Sequence, residues 1–323
     1  MKTKITSEDH VDFSPKGFTG KNILISNEEE RVAELLREKY LAHTNAISAP
    51  VHPKDTFYTR YGKRILDIVI SLPIFIILIP FNLIFGICTF FDVGRPIFYK
   101  QTRVGKGEKP FTMVKFRNMN EKKDTEGKLL PPSQRVTRFG KFMRKFSLDE
   151  LLNFWSVLKG DMSLIGPRPL PEFIHNRMSD RHKCRTAVRP GLECPRVIHV
   201  EGEDICKYQR TYENDIWYVE NVSFLLDIKL AFLLLKMVFS TGTRKKQAEG
   251  KGISYFVGYE EHGYAISMIS YRELYGEPGK EKMIEIRNES ALPSSLSEEV
   301  GSLAVATLNI ASVKEKGLLE NII

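Results

Sequence analysis

Lys63-Arg64-Ile65-Leu66-Asp67-Ile68-Val69-Ile70-Ser71-Leu72-Pro73-Ile74-Phe75-Ile76-Ile77-Leu78-Ile79-Pro80-Phe81-Asn82-Leu83-Ile84-Phe85-Gly86-Ile87-Cys88-Thr89-Phe90-Phe91 is the stretch whose reading decides the fold class. From Ile65 to Phe91 it is apolar apart from Asp67, Pro73, Pro80, Asn82 and a few small residues. A straight helix of roughly 27 residues at about 1.5 Å each is about 40 Å long, more than the ~30 Å hydrocarbon core requires. Tilt absorbs such an excess. Alternatively, Pro80 removes a backbone donor and divides the block into arms of about 15 and 11 residues, which enter one leaflet and return. Lys54, Arg60, Lys63 and Arg64 precede the block, and Arg95, Lys100, Arg103 and Lys106 follow it. Positive charge on both flanks fits two cytoplasmic ends. The residues alone leave a spanning helix and a re-entrant hairpin both open.

Working outward, residues 1–55 form a polar extension. Its one amphipathic helix starts at an Asn27/Glu30 capping box and carries an apolar stripe of Val32, Leu35, Leu36, Tyr40 and Leu41. That stripe requires a partner surface, on this chain or on a second copy. The first ten residues lack an apolar run, which argues against a secretory signal. After the apolar block, Pro96–Tyr99 and Pro110–Phe116 read as extended segments around a Gly105–Gly107 turn, and residues 120–135 as a surface loop. A helix is expected from Ser147 to Lys159 with Gly160 as its stop, Gly166-Pro167-Arg168-Pro169 as a rigid turn, and a charged helix over 171–187. Val222 to Phe239 is apolar but carries Asp227, Lys229 and Lys236, so it reads as an interfacial or core-packing amphipathic helix. Beyond it, 253–257 suggests a strand, and the tail after Leu292 reads as loosely structured.

The chain has 323 residues and a net charge of +8. The charge is local: Arg95 to Lys145 holds fifteen Lys/Arg against four Asp/Glu. Directly after a membrane segment, such a run faces anionic headgroups or a phosphate substrate. No nucleic-acid reader motif or aromatic platform accompanies it, which argues against nucleic acid. Cys88, Cys184, Cys194 and Cys206 form no CxxC pair and read as free thiols.

The chemistry-bearing region runs from Arg144 to Pro169. In structural terms, Ser147-Leu148-Asp149-Glu150 is a capping box with an acidic first turn, and Arg168 is a surface residue of a turn. In functional terms, Asp149 is an exposed, ionised carboxylate at a helix start. Arg144 and Arg168 then supply charge-assisted hydrogen bonds to phosphate oxygens, and Glu150 offers a Mg²⁺ ligand. These are parts of phosphoryl transfer through a covalent acyl phosphate.

In order along the chain, several segments resemble the bacterial sugar transferase family, the monotopic polyprenol-phosphate phosphoglycosyl transferases. They are Lys63–Asp67, Gln101–Gly105, Lys115–Met119, Ser147–Leu151, Leu158–Ser163, Gly166–Pro169, Val188–Gly191 and Asp215–Val219. The resemblance extends from about Tyr61 to Ser240. It implies an α+β, mainly helical fold: a re-entrant membrane hairpin over 61–92 broken at Pro80, interfacial amphipathic helices, and a small cytoplasmic catalytic domain over 93–240. The 244–323 extension lies outside it. It further implies transfer of a sugar-1-phosphate from a UDP-sugar to undecaprenyl phosphate at the cytoplasmic face of the bacterial inner membrane, with release of UMP. Asp149 is then the nucleophile, Glu150 the Mg²⁺-binding member of the dyad, and Arg144, Arg168 and Arg189 phosphate-binding residues.

The sequence departs from the family pattern where Ile79 replaces a small polar residue before the hairpin proline. It departs again where Glu193-Cys194-Pro195-Arg196-Val197-Ile198-His199-Val200-Glu201 replaces the usual segment near the nucleotide-sugar pocket. Two other readings remain: a catalytically weakened membrane scaffold of a polysaccharide assembly complex, and a single-span protein with a phosphate-binding domain. The 27–41 helix offers a surface for a homo-oligomer.

Overall fold

A computed structural model describes residues 27–127, 129–130, 132–200, 206–239 and 254–276. The tail after Leu292 lies outside the described residues. The described chain opens with α1 (Asn27–Leu36), which continues through a wider turn (Arg37–Leu41) into α2 (Ala42–Ile47). The apolar block is α3 (Lys63–Val93). It is followed by the antiparallel hairpin β1 (Phe98–Val104) and β2 (Pro110–Phe116). Short helices α4 (Pro132–Arg135), α5 (Arg138–Lys145) and α6 (Asn153–Lys159) lead to β3 (Ser163–Ile165). Single-turn α7 (Glu172–His175) and α8 (Asp180–Lys183) precede β4 (Gly191–Glu193), which pairs in parallel with β3. The remaining elements are α9 (Lys207–Asn221), α10 (Phe224–Phe239), the hairpin β5 (Phe256–Tyr259) and β6 (Ala265–Ser267), and α11 (Met268–Tyr275).

Several local expectations are corrected. No continuous helix covers 171–187; α7, α8 and a 3₁₀ turn over Cys184–Ala187 share it. The 120–135 loop contains a bridge between Lys123 and Leu129 and ends in α4. Glu30, assigned to a capping box, pairs with the buried guanidinium of Arg177. That carboxylate therefore carries a long-range ion pair, which the local pattern does not foresee.

The α3 helix is polar inward and apolar outward. Lys63, Asp67, Ser71 and Thr89 are its buried residues, while Ile76, Ile77, Ile79, Phe81, Leu83 and Ile84 are exposed. A soluble helix has the opposite pattern, because exposed apolar area costs roughly 25 cal/mol per Å² in water. No non-helical residue interrupts α3 at Pro73 or Pro80. The helical backbone therefore runs on through both prolines.

Both ends of α3 are fixed to the same polar body. Near its start, Asp67 accepts hydrogen bonds from Ser163 Oγ (2.9 Å) and the Leu164 amide (3.0 Å), and Arg64 donates to the Val157 and Leu158 carbonyls. Near its end, Asp92 accepts from Thr137 Oγ1 at 2.5 Å, and Arg117 donates to the Val93 carbonyl.

The α10 helix packs on the core as its charges predict. Asp227 turns inward and accepts from Tyr218 (2.6 Å), Tyr58 (2.5 Å) and Lys63 (2.7 Å), while Lys229 and Lys236 stay exposed beside Leu225 and Phe232.

The apolar stripe of α1 finds its partner on this chain. Val32, Ala33 and Leu36 pack against Val257, Ile266, Met268 and Tyr271 of the C-terminal hairpin and α11. The strand expected near 253–257 is β5, displaced by two to three residues. A second cluster joins this layer to Ile174, Met178 and Tyr212 of the central body. The described parts of the two extensions, α1 and the β5–α11 segment, thus form one accessory layer.

Candidate active site

The dyad is not at the start of a regular α-helix. Ser147 adopts a left-handed conformation (φ 55°, ψ 28°), its side chain makes no capping hydrogen bond, and a single 3₁₀ turn over Leu148–Glu150 follows. Only after a further turn does α6 begin at Asn153. Left-handed backbone at a non-glycine residue is unfavourable and persists where surrounding contacts impose it. Three residues on, the Glu150 carboxylate is withdrawn from the cap and held by two cations. Lys115 Nζ and Arg168 Nη2 each lie 2.6 Å from Glu150 Oε1.

Asp149 is buried rather than exposed, at 7% accessibility. Its Oδ2 accepts a hydrogen bond from Asn118 Nδ2 at 2.9 Å. Asn118 is oriented in turn by Arg144, whose Nε and Nη2 donate to Asn118 Oδ1 at 3.1 and 3.0 Å. That fork assigns the amide, because only its oxygen can accept from a guanidinium. Arg144 therefore meets Asp149 through Asn118.

The two adjacent carboxylates have opposite electrostatics. Burial raises the Asp149 pKa, and the Glu150 charge raises it further, against Lys115 and Arg144. Glu150 is also desolvated, but Arg168 and Lys115 outweigh burial and hold its pKa at about 2. The pair thus contains one firmly ionised carboxylate and one whose charge is costly, an arrangement found where acid, base and nucleophile roles are divided.

Arg168 is supplied by the Gly166–Pro169 turn. It reaches Glu150 with one nitrogen, and with the other Glu193 Oε2 (3.3 Å) and the Leu192 carbonyl (3.2 Å). The turn presses against β4: a Cβ on Gly191 would lie 2.2 Å from the Gly166 nitrogen, so the close approach requires glycine. Arg189 is not in this group; its Nε donates to the Gly160 carbonyl at 3.2 Å, beyond the far end of α6. Pro80 lies within exposed α3, away from the dyad's hydrogen bonds.

Sequence reasoning did not single out Lys115, Asn118 or Glu193. Lys115 and Asn118 lie in the family-like Lys115–Met119 segment, where the signal was present. Glu193 lies in the replaced segment, and no sequence pattern paired it with Arg168.

Asp149 and Glu150 offer adjacent hard oxygen donors, and both cations bind a single Glu150 oxygen, Oε1. Among the described residues, the only cluster of three or more ligating side chains is Glu260, Glu261 and His262, far along the chain from the dyad. Two carboxylates suit Mg²⁺, which takes one or two such ligands and completes its shell with substrate phosphates and water.

A family model described as bacterial sugar transferase matches residues 58–241, more than half of the chain. The chain belongs to the bacterial sugar transferase family. The uncharacterized sugar transferase EpsL of Bacillus subtilis is 40% identical over 146 residues, covering 45% of this chain and 71% of that protein. A UDP-N-acetylgalactosamine-undecaprenyl-phosphate N-acetylgalactosaminephosphotransferase of Aeromonas hydrophila is 32% identical over 204 residues, 61% of this chain and 48% of that one. A UDP-glucose:undecaprenyl-phosphate glucose-1-phosphate transferase of Escherichia coli is 34% identical over 185 residues, 54% of this chain and 39% of that one. The chain spans under half the length of these last two relatives. In this family member, α1, α2 and the β5–α11 layer lie outside the matched segment.

Proposed function

We propose that this chain transfers a sugar-1-phosphate from a UDP-sugar to undecaprenyl phosphate through a phospho-aspartyl intermediate on Asp149. The pair of buried Asp149 and half-buried Glu150, ringed by Asn118, Lys115 and Arg168, carries this reading. A carboxylate oxygen of Asp149 attacks the β-phosphorus, the bond to the bridging oxygen breaks, and UMP leaves with that oxygen. A phosphate oxygen of the lipid then attacks the same phosphorus, restoring the Asp149 carboxylate and giving undecaprenyl diphosphate sugar. Asn118 orients the Asp149 carboxylate, and Arg168 and Lys115 supply positive charge beside the transferring group. Glu150, whose Oε2 is not engaged by either cation, would hold Mg²⁺, and the ion would supply charge neutralisation on the diphosphate.

The substrates are proposed from the relatives' names and from the site's fit to phosphate. The membrane arrangement is proposed as a re-entrant hairpin at the cytoplasmic face of the inner membrane. Its support is the attachment of both α3 ends to one polar body, with the apolar middle exposed. A crossing helix delivers its ends to opposite faces, about 30 Å apart. The change of direction then falls on Pro80 as a bend within continuous helix.

The test is protein-bound label after mixing the enzyme with Mg²⁺ and β-³²P-labelled UDP-sugars, without lipid acceptor. Label on wild type, discharged by added undecaprenyl phosphate and absent in Asp149→Asn, is expected. UMP release by Asp149→Asn at the wild-type rate would sink the mechanism. A panel of UDP-sugars in the same assay identifies the sugar.

A further inference from the structure

At the opposite end of α6 from the dyad is a cavity of about 240 Å³. Its charged walls are Lys54, Asp55, Arg60, Lys63, Lys106 and Arg189. They come from the segment before α3, the first residue of α3, the β1–β2 turn and the strand approach to β4. Arg60 is neutralised by Asp55, and Lys63 by Asp227 at 2.7 Å. Lys54, Lys106 and Arg189 have no carboxylate within ion-pair distance among the described residues. Arg189 is instead oriented by the Gly160 carbonyl.

Asp55, already bonded to Arg60, is the one carboxylate in this wall and also feels Lys106, so Lys54, Lys106 and Arg189 leave the concavity with excess positive charge that an anion relieves. The location narrows the choice of anion. Lys63 begins the apolar helix, and most of the uncharged wall is apolar, so the cavity opens where the polar body meets the exposed hydrocarbon-like surface. Phosphate oxygens suit this lining, because ammonium and guanidinium donors both form charge-assisted hydrogen bonds to them.

We infer that this cavity is a second phosphate site, separate from the dyad, which binds a phosphate monoester or diester. The group is carried either by an anionic lipid headgroup or by a soluble phosphate. Lys54, Lys106 and Arg189 are the side chains that hold it.

The test uses full-length protein and the Lys54→Gln/Lys106→Gln double variant. Both lysines are exposed, so the core is untouched. One arm titrates inorganic phosphate and glycerol 1-phosphate against protein in neutral detergent. The other compares phosphatidylcholine nanodiscs with and without phosphatidylglycerol, reading thermal unfolding. The expected result is binding at least about tenfold weaker in the double variant in one arm, with Lys54→Arg/Lys106→Arg retaining it. Loss in the first arm assigns a soluble phosphate, and loss confined to the second assigns a lipid headgroup. Because the readout is the difference between wild type and variant, phosphate bound at the dyad cancels. Equal responses of wild type and Gln variant in both arms would overturn the inference.

Discussion

Arg185 Nη2 donates to the backbone carbonyl of Arg168 at 2.8 Å, so the arginine that neutralises Glu150 is itself held by a second, buried arginine. Asp215 of α9 accepts from Arg185 at 2.6 and 3.0 Å and completes the relay. Both members of that ion pair are almost fully buried. Removing one leaves the other as an uncompensated buried charge, which costs about 3–5 kcal/mol. Asp215→Ala is expected to lower the unfolding midpoint by several degrees and to weaken transfer, read by thermal melts and UMP release. An unchanged melt would show that the pair is not the support described.

Asp149→Asn is expected to remove the nucleophile while keeping the Asn118 hydrogen bond. Transfer should fall by about 10³-fold or more. Burial raises the Asp149 pKa, so the ionised carboxylate opposes folding at neutral pH. Asp149→Asn is therefore expected to raise thermal stability, and an inactive variant with a lower melting point would contradict the electrostatics.

The pH dependence has two parts of opposite sign. A nucleophile whose pKa is raised loses activity on acidification at a higher pH than an ordinary aspartate near 3.8. The acid limb of the pH–rate profile should therefore lie above that value. Glu150 behaves the other way, since Arg168 and Lys115 hold it at about 2 against an ordinary 4.5. Its stabilisation is fully present above about 4.5 and is lost as pH falls toward about 2. Glu213, held at about 2 by His182 and Arg181, adds in the same window. Melts of wild type and Glu150→Gln should converge toward the bottom of that range.

Arg168→Lys retains charge but loses the planar fork that joins Glu150 to Glu193. A fall of about 10–100-fold in transfer is expected, with the melting point little changed because the side chain is half-exposed.

Leu36→Ala tests the accessory layer. Leu36 is 2% exposed and packs over Gly258, so its truncation is expected to cost about 2–5 kcal/mol. Limited proteolysis should then release the β5–α11 segment before the central body is cut.

Much of this was legible in the residues. The α3 block, the β1–β2 hairpin and the placing of Arg144 and Arg168 near the dyad follow from apolar composition, glycine and proline placement, and charge spacing. Those signals act over a few residues, and the chain obeys them. The capping box at Ser147 failed, and the Glu30 carboxylate also went to a distant cation, for a common reason. A glutamate three residues along has two possible partners, a local amide or a distant cation, and Arg177 and Arg168 are brought in only by tertiary packing.

By itself, then, the sequence determined that one long apolar helix is joined to a basic body, and that Asp149 and Glu150 stand side by side. Only the tertiary structure decided that Asp149 is buried under Asn118 while Glu150 is exposed to two cations. It also decided that Arg189 lines a different cavity, and that α1 packs against the β5–α11 segment. The reason is physical: hydrophobic period and turn chemistry are local, whereas burial, ion pairing and pKa depend on residues tens of positions away that share no pattern until the chain has folded.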